Sequence, residues 1–145
     1  VMSQKINTNE FLKNVRIGLW RIEVEEGKLP RFYADEVMDE LLGITEEITP
    51  EERFAFHRRC VHPEDMEMFL EYSDKLTETQ TEIVYRYIHP ISGEMFVRCA
   101  GIRDNSVTSC ISIIGTHQDI SETIRVEKEK EAEPNRLFYL PCLMI

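Results

Sequence analysis

The sequence predicts an α+β domain: a five-stranded antiparallel sheet with short helices on one face, flanked by an N-terminal and a C-terminal helix. Three observations carry this reading. Two β-type runs stand near the start, at 16–24 and 29–33. Three more follow in close succession at 82–89, 94–103 and 109–117, joined by short turns. Between the two groups lie only helix signals. A sheet assembled from both ends of a chain, with the intervening helices on one face, buries the apolar side of every element.

Each element has its own signal. Residues 8–15 make two helical turns, with Thr8 placed as the cap and Phe11, Leu12 and Val15 on one face. In 16–24, Ile22 and Val24 alternate with Arg21 and Glu23, the period of a half-buried strand, and Leu19 and Trp20 add to the apolar side. Glu26-Gly27-Lys28 turns the chain into the second strand. Asp35 caps a helix over 36–42, and Gly43 suits the left-handed residue that ends it.

Thr49-Pro50-Glu51-Glu52 is a complete start signal: a cap, a first-turn proline and the glutamate of a capping box. That helix carries Phe54 and Phe56 and runs to about Cys60. His62-Pro63-Glu64-Asp65 opens the next, with two carboxylates at the positive end of the helix dipole. Its buried stripe is read as Met66, Phe69, Leu70 and Leu76. Pro90-Ile91-Ser92-Gly93 and Asp104-Asn105-Ser106 turn between the last three strands, which therefore form a meander. Ser121 caps a charged helix that Pro134 ends. The chain thus divides into a helical extension (1–15), a domain-sized body (16–120), a C-terminal helix (121–133) and an apolar stretch (134–145) that is a tail or the start of a following domain.

Composition narrows the function. A length of 145 residues and a hydrophobic fraction of 42% suit one globular core. The net charge of -10 argues against nucleic acid or an anionic membrane as a partner, since both reward basic patches. No apolar run approaches a membrane span, and no signal-peptide pattern opens the chain. Cys60, Cys99, Cys110 and Cys142 are far apart, so free thiols in a reducing cytoplasm are expected, without a metal cluster. No nucleophile elbow, phosphate-binding loop or zinc-protease motif is present.

A set of short motifs then falls in order. Gly18-Leu19-Trp20 is a G-x-W first strand, and His62-Pro63-Glu64-Asp65 is an H-P-x-D step. Tyr85-Arg86-Tyr87 precedes the turn Ser92-Gly93-Glu94, Phe96-Val97 follows, and Gly115-Thr116-His117-Gln118-Asp119-Ile120-Ser121 closes the series. Over residues 9 to about 126 this resembles a PAS domain, in the fold-3 subgroup with a G-x-W first strand and a closing D-I-T motif. Phe96 stands where Trp is commoner and Ser121 where Thr is, the latter keeping its hydroxyl.

The resemblance implies a sensory module of a bacterial sensor histidine kinase or a GGDEF-type (diguanylate cyclase) signalling protein. Such a domain is not itself an enzyme. It is cytoplasmic, or the cytoplasmic part of a membrane-bound sensor. It works as a homodimer through its first and last helices, with an output domain as partner and with neither nucleic acid nor direct membrane contact. The implied ligand pocket lies between sheet and helices, with Trp20, Phe54, Phe56, Phe69, Tyr85, Tyr87, Phe96 and Ile113 as its lining. Either a small molecule fills that core, or the core is full and the domain only relays and dimerises. Asp119 and Ser121 are the expected clasp of the output helix, with Arg103 as the partner of Asp119.

No cofactor is expected. Haem would need a helical histidine, for which only His57 and His62 stand in place; His62 reads as a cap and His57, beside Arg58 and Arg59, as surface. Flavin photochemistry would need a reactive cysteine segment that Arg58-Arg59-Cys60-Val61-His62 does not match; Cys60 reads as a buried structural thiol. The rival reading is a small cone-shaped α+β enzyme for an apolar substrate, using His89 with Glu82 or Asp104 as an acid–base pair.

Overall fold

The computed structural model describes residues 6–76, 78 and 81–132. The chain runs α1 (Thr8–Asn14), β1 (Ile17–Val24), β2 (Arg31–Ala34), α2 (Glu36–Leu42), α3 (Pro50–Cys60), a 3-10 turn (Pro63–Asp65), α4 (Met66–Lys75), β3 (Thr81–His89), β4 (Gly93–Arg103), β5 (Ile111–Asp119) and α5 (Ser121–Ala132). The five strands form one antiparallel sheet in the order β2-β1-β5-β4-β3. The first hairpin therefore joins the last strand of the meander, and β5 is central while β2 and β3 are edges.

The local signals explain most of the helix boundaries. Asp35 accepts from the Met38 N–H at 2.8 Å and starts α2, and Gly43, at φ 82°, takes the left-handed position that closes it. Thr49 and Glu52 form the reciprocal capping box of α3. His62 Nδ1 accepts from the Glu64 N–H, as its cap position requires. For α1 the cap is Asn7 instead of Thr8, its side chain accepting from the Glu10 N–H at 3.1 Å. The stripe expected on α1 is not buried: Phe11 is 54% and Val15 38% exposed. On α4 the buried side chains are Phe69 and Tyr72, while Leu70 faces out, because the stripe follows the i, i+3 step from Phe69.

The core is the inner face of the sheet. Trp20 on β1, Tyr85 and Tyr87 on β3, Met95, Val97 and Cys99 on β4 and Ile113 on β5 meet Met38 and Leu41 of α2, His57 of α3 and Phe69 of α4. Two polar anchors orient the helices. Arg53 donates from Nε and Nη2 to Asp39 at 2.8 and 3.1 Å and from Nη1 to the Phe32 carbonyl, tying α3 to α2 and β2. Asp65 accepts from the Arg86 backbone at 2.8 Å and from its guanidinium, tying the 3-10 turn to β3. Arg86 in turn holds the Asp65 carboxyl below the ordinary carboxylate range. Between them the His62 N–H donates to the Arg86 carbonyl. Helix α3 is thus pinned near β2 at one end and near β3 at the other, which brings His57 over the middle of the sheet.

Candidate functional site

Over the sheet centre lies a closed aromatic core with a polar thread through it. His57 Nε2 is 2.7 Å from Tyr85 Oη, and Tyr85 Oη is 2.6 Å from His117 Nε2. The three residues are 3%, 1% and 4% exposed. Their elements are α3, β3 and β5, so the thread joins the helical layer to both halves of the meander. The rings around it are tilted, stacked or edge to face: His57 lies 5.6 Å from Phe32 and 5.3 Å from Phe69, both tilted, and 5.8 Å from Tyr87, stacked, and His117 lies 6.0 Å from Trp20, edge to face. A second polar group is Tyr72, whose hydroxyl reaches the Thr81 and Cys99 carbonyls at 3.3 and 3.4 Å. Tyr87 donates to the Leu42 carbonyl at 2.7 Å, satisfying the end of α2.

Burial decides the protonation of these groups. It pushes His117 down to about 3 and His57 well below its ordinary value, the latter also lowered by His117 and by Arg58. Both imidazoles are therefore neutral in the fold. Burial likewise raises Tyr85, Tyr72 and Tyr87 and lifts the Cys99 thiol to about 12. The core holds polar groups and no charge. Among the described residues, Trp20 Nε1 and His117 Nδ1 are buried without a hydrogen-bond partner.

Most of the expected lining assembles here. Trp20, Phe69, Tyr85, Tyr87 and Ile113 are in the core, and Phe54 packs at its edge under the Arg58 guanidinium. Phe56 is half-buried beneath Arg59. Phe96 is a correction. Met95, Val97 and Cys99 take the inner face of β4, so the alternation turns Phe96 to the other side. There it lies under α5, with Lys128 Nζ 5.2 Å from its ring centroid. His57 is a second correction: it is not at the surface but central, because α3 turns it and Arg53, four residues apart, toward the sheet. Sequence reading did not single out His117; its signal was the period of two from Ile113, both buried on β5.

Aromatic side chains crowd the space expected for the cavity, and a groove lies on the opposite face. A groove of about 670 Å³ runs over the outer side of β2, β1, β5 and β4, lined by Leu19, Tyr33, Ala100, Ile102, Ile114 and Thr116 among others. Arg21 at this groove is committed to Asp104 at 3.1 Å and to the Ser112 hydroxyl.

The output joint is also assembled. Asp119 accepts from the Ser121 N–H at 2.9 Å, Ser121 Oγ accepts from the Phe96 N–H at 2.9 Å, and the Ile120 N–H donates to the Phe96 carbonyl at 2.9 Å. Helix α5 therefore leaves β5 clasped to β4. Arg103 does not close this clasp. Asp119 is opposite Val97 and Arg103 opposite Ile113, at the two ends of the same ladder, about 20 Å apart at the usual strand rise. Along α5, Arg125 bridges Glu122 and Glu129. The expectations for 134–145 and Cys142 lie outside the described residues.

The rival acid–base pair does not form. His89 is opposite Gly93 at one end of β3, and Glu82 is opposite Ala100 near the other, bound to Arg98 at 3.0 Å. Asp104 follows β4 at that far end and is held by Ser106 and Arg21. His57 is not placed as a free haem ligand. His57 Nε2 is taken by Tyr85, rings surround its imidazole, and the space between helices and sheet is occupied by Trp20, Phe32 and Phe69. Cys60 is half-buried at the end of α3 instead of fully buried. Cys60, Cys99 and Cys110 are free thiols, and among the described residues no group of three or more His, Cys, Asp or Glu could hold a metal ion. No described helix is long and apolar enough to cross a membrane.

A five-stranded antiparallel sheet, with α2, α3 and α4 on one face and a helix that leaves the last strand clasped to β4, defines the class of this α+β module. The family model described as PAS fold matches residues 31–117, and the chain belongs to that family. No curated protein matches it in sequence. Among solved structures it is similar to a sensory box histidine kinase/response regulator from Burkholderia thailandensis, with TM-score 0.67 and 17% identity over 93% of this chain and 100% of that one. It is also similar to the N-terminal domain of a diguanylate cyclase with PAS/PAC sensor from Marinobacter aquaeolei, with TM-score 0.56 and 25% identity over 74% and 97%. A third is a domain of a putative light and redox sensing histidine kinase from Haloarcula marismortui, with TM-score 0.55 and 16% identity over 78% and 97%.

Proposed function

We propose that the chain is the cytoplasmic regulatory module of a larger signalling protein, a sensor histidine kinase or a diguanylate cyclase, and that it relays a change in its core to an output domain along α5. The observation that carries this is the Asp119–Ser121–Phe96 clasp: two hydrogen bonds of 2.9 Å at Phe96 tie the start of the output helix to β4, and a third, from the Ser121 N–H to Asp119, caps that helix on β5. β4 in turn pairs with β3 and β5, the strands that carry Tyr85 and His117. A shift of either side chain thus reaches α5 through one ladder. The crowded core supports the relay version over one in which a large ligand occupies it. Dimerisation belongs to the same reading and uses α1, with Phe11 and Val15 exposed, together with α5.

The test is made in the full-length parent. Asp119→Ala together with Ser121→Ala should leave basal output activity in place and abolish its response to stimulus. A double variant that still responds normally rules out the clasp as the relay.

A further inference from the structure

The thread His57–Tyr85–His117 can carry its protons in two ways. Tyr85 has one hydroxyl hydrogen, so it donates to one imidazole and accepts from the other. In the first arrangement His117 Nε2–H donates to Tyr85, Tyr85 donates to His57 Nε2, and His117 Nδ1 is a bare acceptor. In the second every direction reverses, and His117 Nδ1 bears a hydrogen. That nitrogen is buried without a partner among the described residues, and so is Trp20 Nε1, which can only donate. The two rings meet edge to face with centroids 6.0 Å apart. The second arrangement would leave two unpaired N–H donors on neighbouring buried rings. Orphaned buried N–H groups are rarer than under-satisfied acceptors. The first leaves one donor and one acceptor, which a single hydroxyl can join.

We propose that Trp20 Nε1 and His117 Nδ1 form a binding site for one small uncharged hydroxylic molecule, which accepts from the indole and donates to the imidazole. Water has this chemistry, and so has a small alcohol. The bound hydroxyl completes one unidirectional chain from Trp20 through His117 and Tyr85 to His57. A molecule that only accepts, such as a carbonyl compound, would demand the opposite tautomer at both histidines. An ion would be buried uncompensated, because the rings packed on Trp20 and His117, those of Phe32, Tyr85 and His57, carry no charge. The inference deepens the relay reading by naming what the core binds at the start of the relay.

The test uses the unaltered chain, labelled with nitrogen-15, at neutral pH. The ring-nitrogen shifts of His57 and His117 identify the tautomers, and cross-relaxation from the Trp20 indole N–H identifies its neighbour. The expected result is His117 protonated at Nε2, His57 at Nδ1, and a cross-peak from the indole proton to a bound molecule. That peak falls at the water frequency for water, or is joined by aliphatic protons for a retained alcohol. His117 protonated at Nδ1, or an indole proton with no such neighbour, overturns the site. Neither readout depends on output activity, so failure of the site and failure of the relay are separately visible.

Discussion

Gly115 stands directly opposite Trp20 in the β1/β5 ladder, and the indole occupies the space a side chain there would need. A Cβ on Gly115 would lie 2.3 Å from Trp20 Cζ2 and 2.2 Å from the Ala100 carbonyl oxygen. Gly101, the partner of Gly115 on β4, lies under the same ring, 2.8 Å from Trp20 Cη2 by the same measure. The tryptophan of the G-x-W strand is seated on a pair of glycines from two other strands. Gly115→Ala should therefore destabilise by about 1–3 kcal/mol, as overpacking does. Urea denaturation should show a lower midpoint with an unchanged slope. Wild-type stability would mean that the indole shifts aside freely.

Stability should fall with pH in a window that belongs to the buried histidines. His117 is held down to about 3 in the fold and His57 well below 6.5. A folded pKa below the unfolded one means that the stabilisation is complete above about 6.5 and is lost as pH falls, since only the unfolded chain takes up the proton. Each site can contribute a slope of up to about 1.4 kcal/mol per pH unit. Asp65, held low by Arg86, and Asp104, held low by Ser106 and Arg21, shift the curve in the same direction but only beneath about pH 4. Denaturation midpoints measured between about pH 7 and pH 5 should therefore drop, and His117→Gln should flatten the drop. Identical slopes for both proteins would show that His117 takes up its proton without unfolding.

The clasp should be visible in the isolated chain without any output assay. Ser121→Ala removes the acceptor of the Phe96 N–H, at a cost of about 0.5–1.5 kcal/mol. Hydrogen exchange should accelerate at the Phe96 amide and in the first turn of α5, while the β3/β4 amides away from the joint keep their protection. Unchanged exchange at Phe96 would show that the Ile120 N–H to Phe96 carbonyl bond alone holds the helix.

Much of the fold was legible because its signals are short-range. The Thr49–Glu52 box, the Asp35 cap and the left-handed Gly43 each act within a few residues, and each is found in place. The expected turns between the last three strands match the meander for the same reason. The errors fall where a residue's surroundings come from elsewhere in the chain. Motif position suggests the inner lining for Phe96, yet the alternation with Val97 places it outside. The arginine neighbours of His57 suggest a surface position, but a helix sends adjacent residues in different directions. Charge alone pairs Arg103 with Asp119, and only the strand register separates them.

By itself the sequence determined the order of elements, most of the helix ends, the α+β class and the acidic balance, because these follow from local backbone preference, periodicity and composition; the PAS resemblance rested on the ordered motifs. Tertiary structure alone decided that His57, Tyr85 and His117 share one hydrogen-bonded thread, that aromatic rings crowd around it and that the open groove lies on the opposite face. Those outcomes depend on strand register and on where α3 crosses the sheet. Both are settled by packing between residues far apart in the chain, where a single-residue shift turns a side chain to the other face.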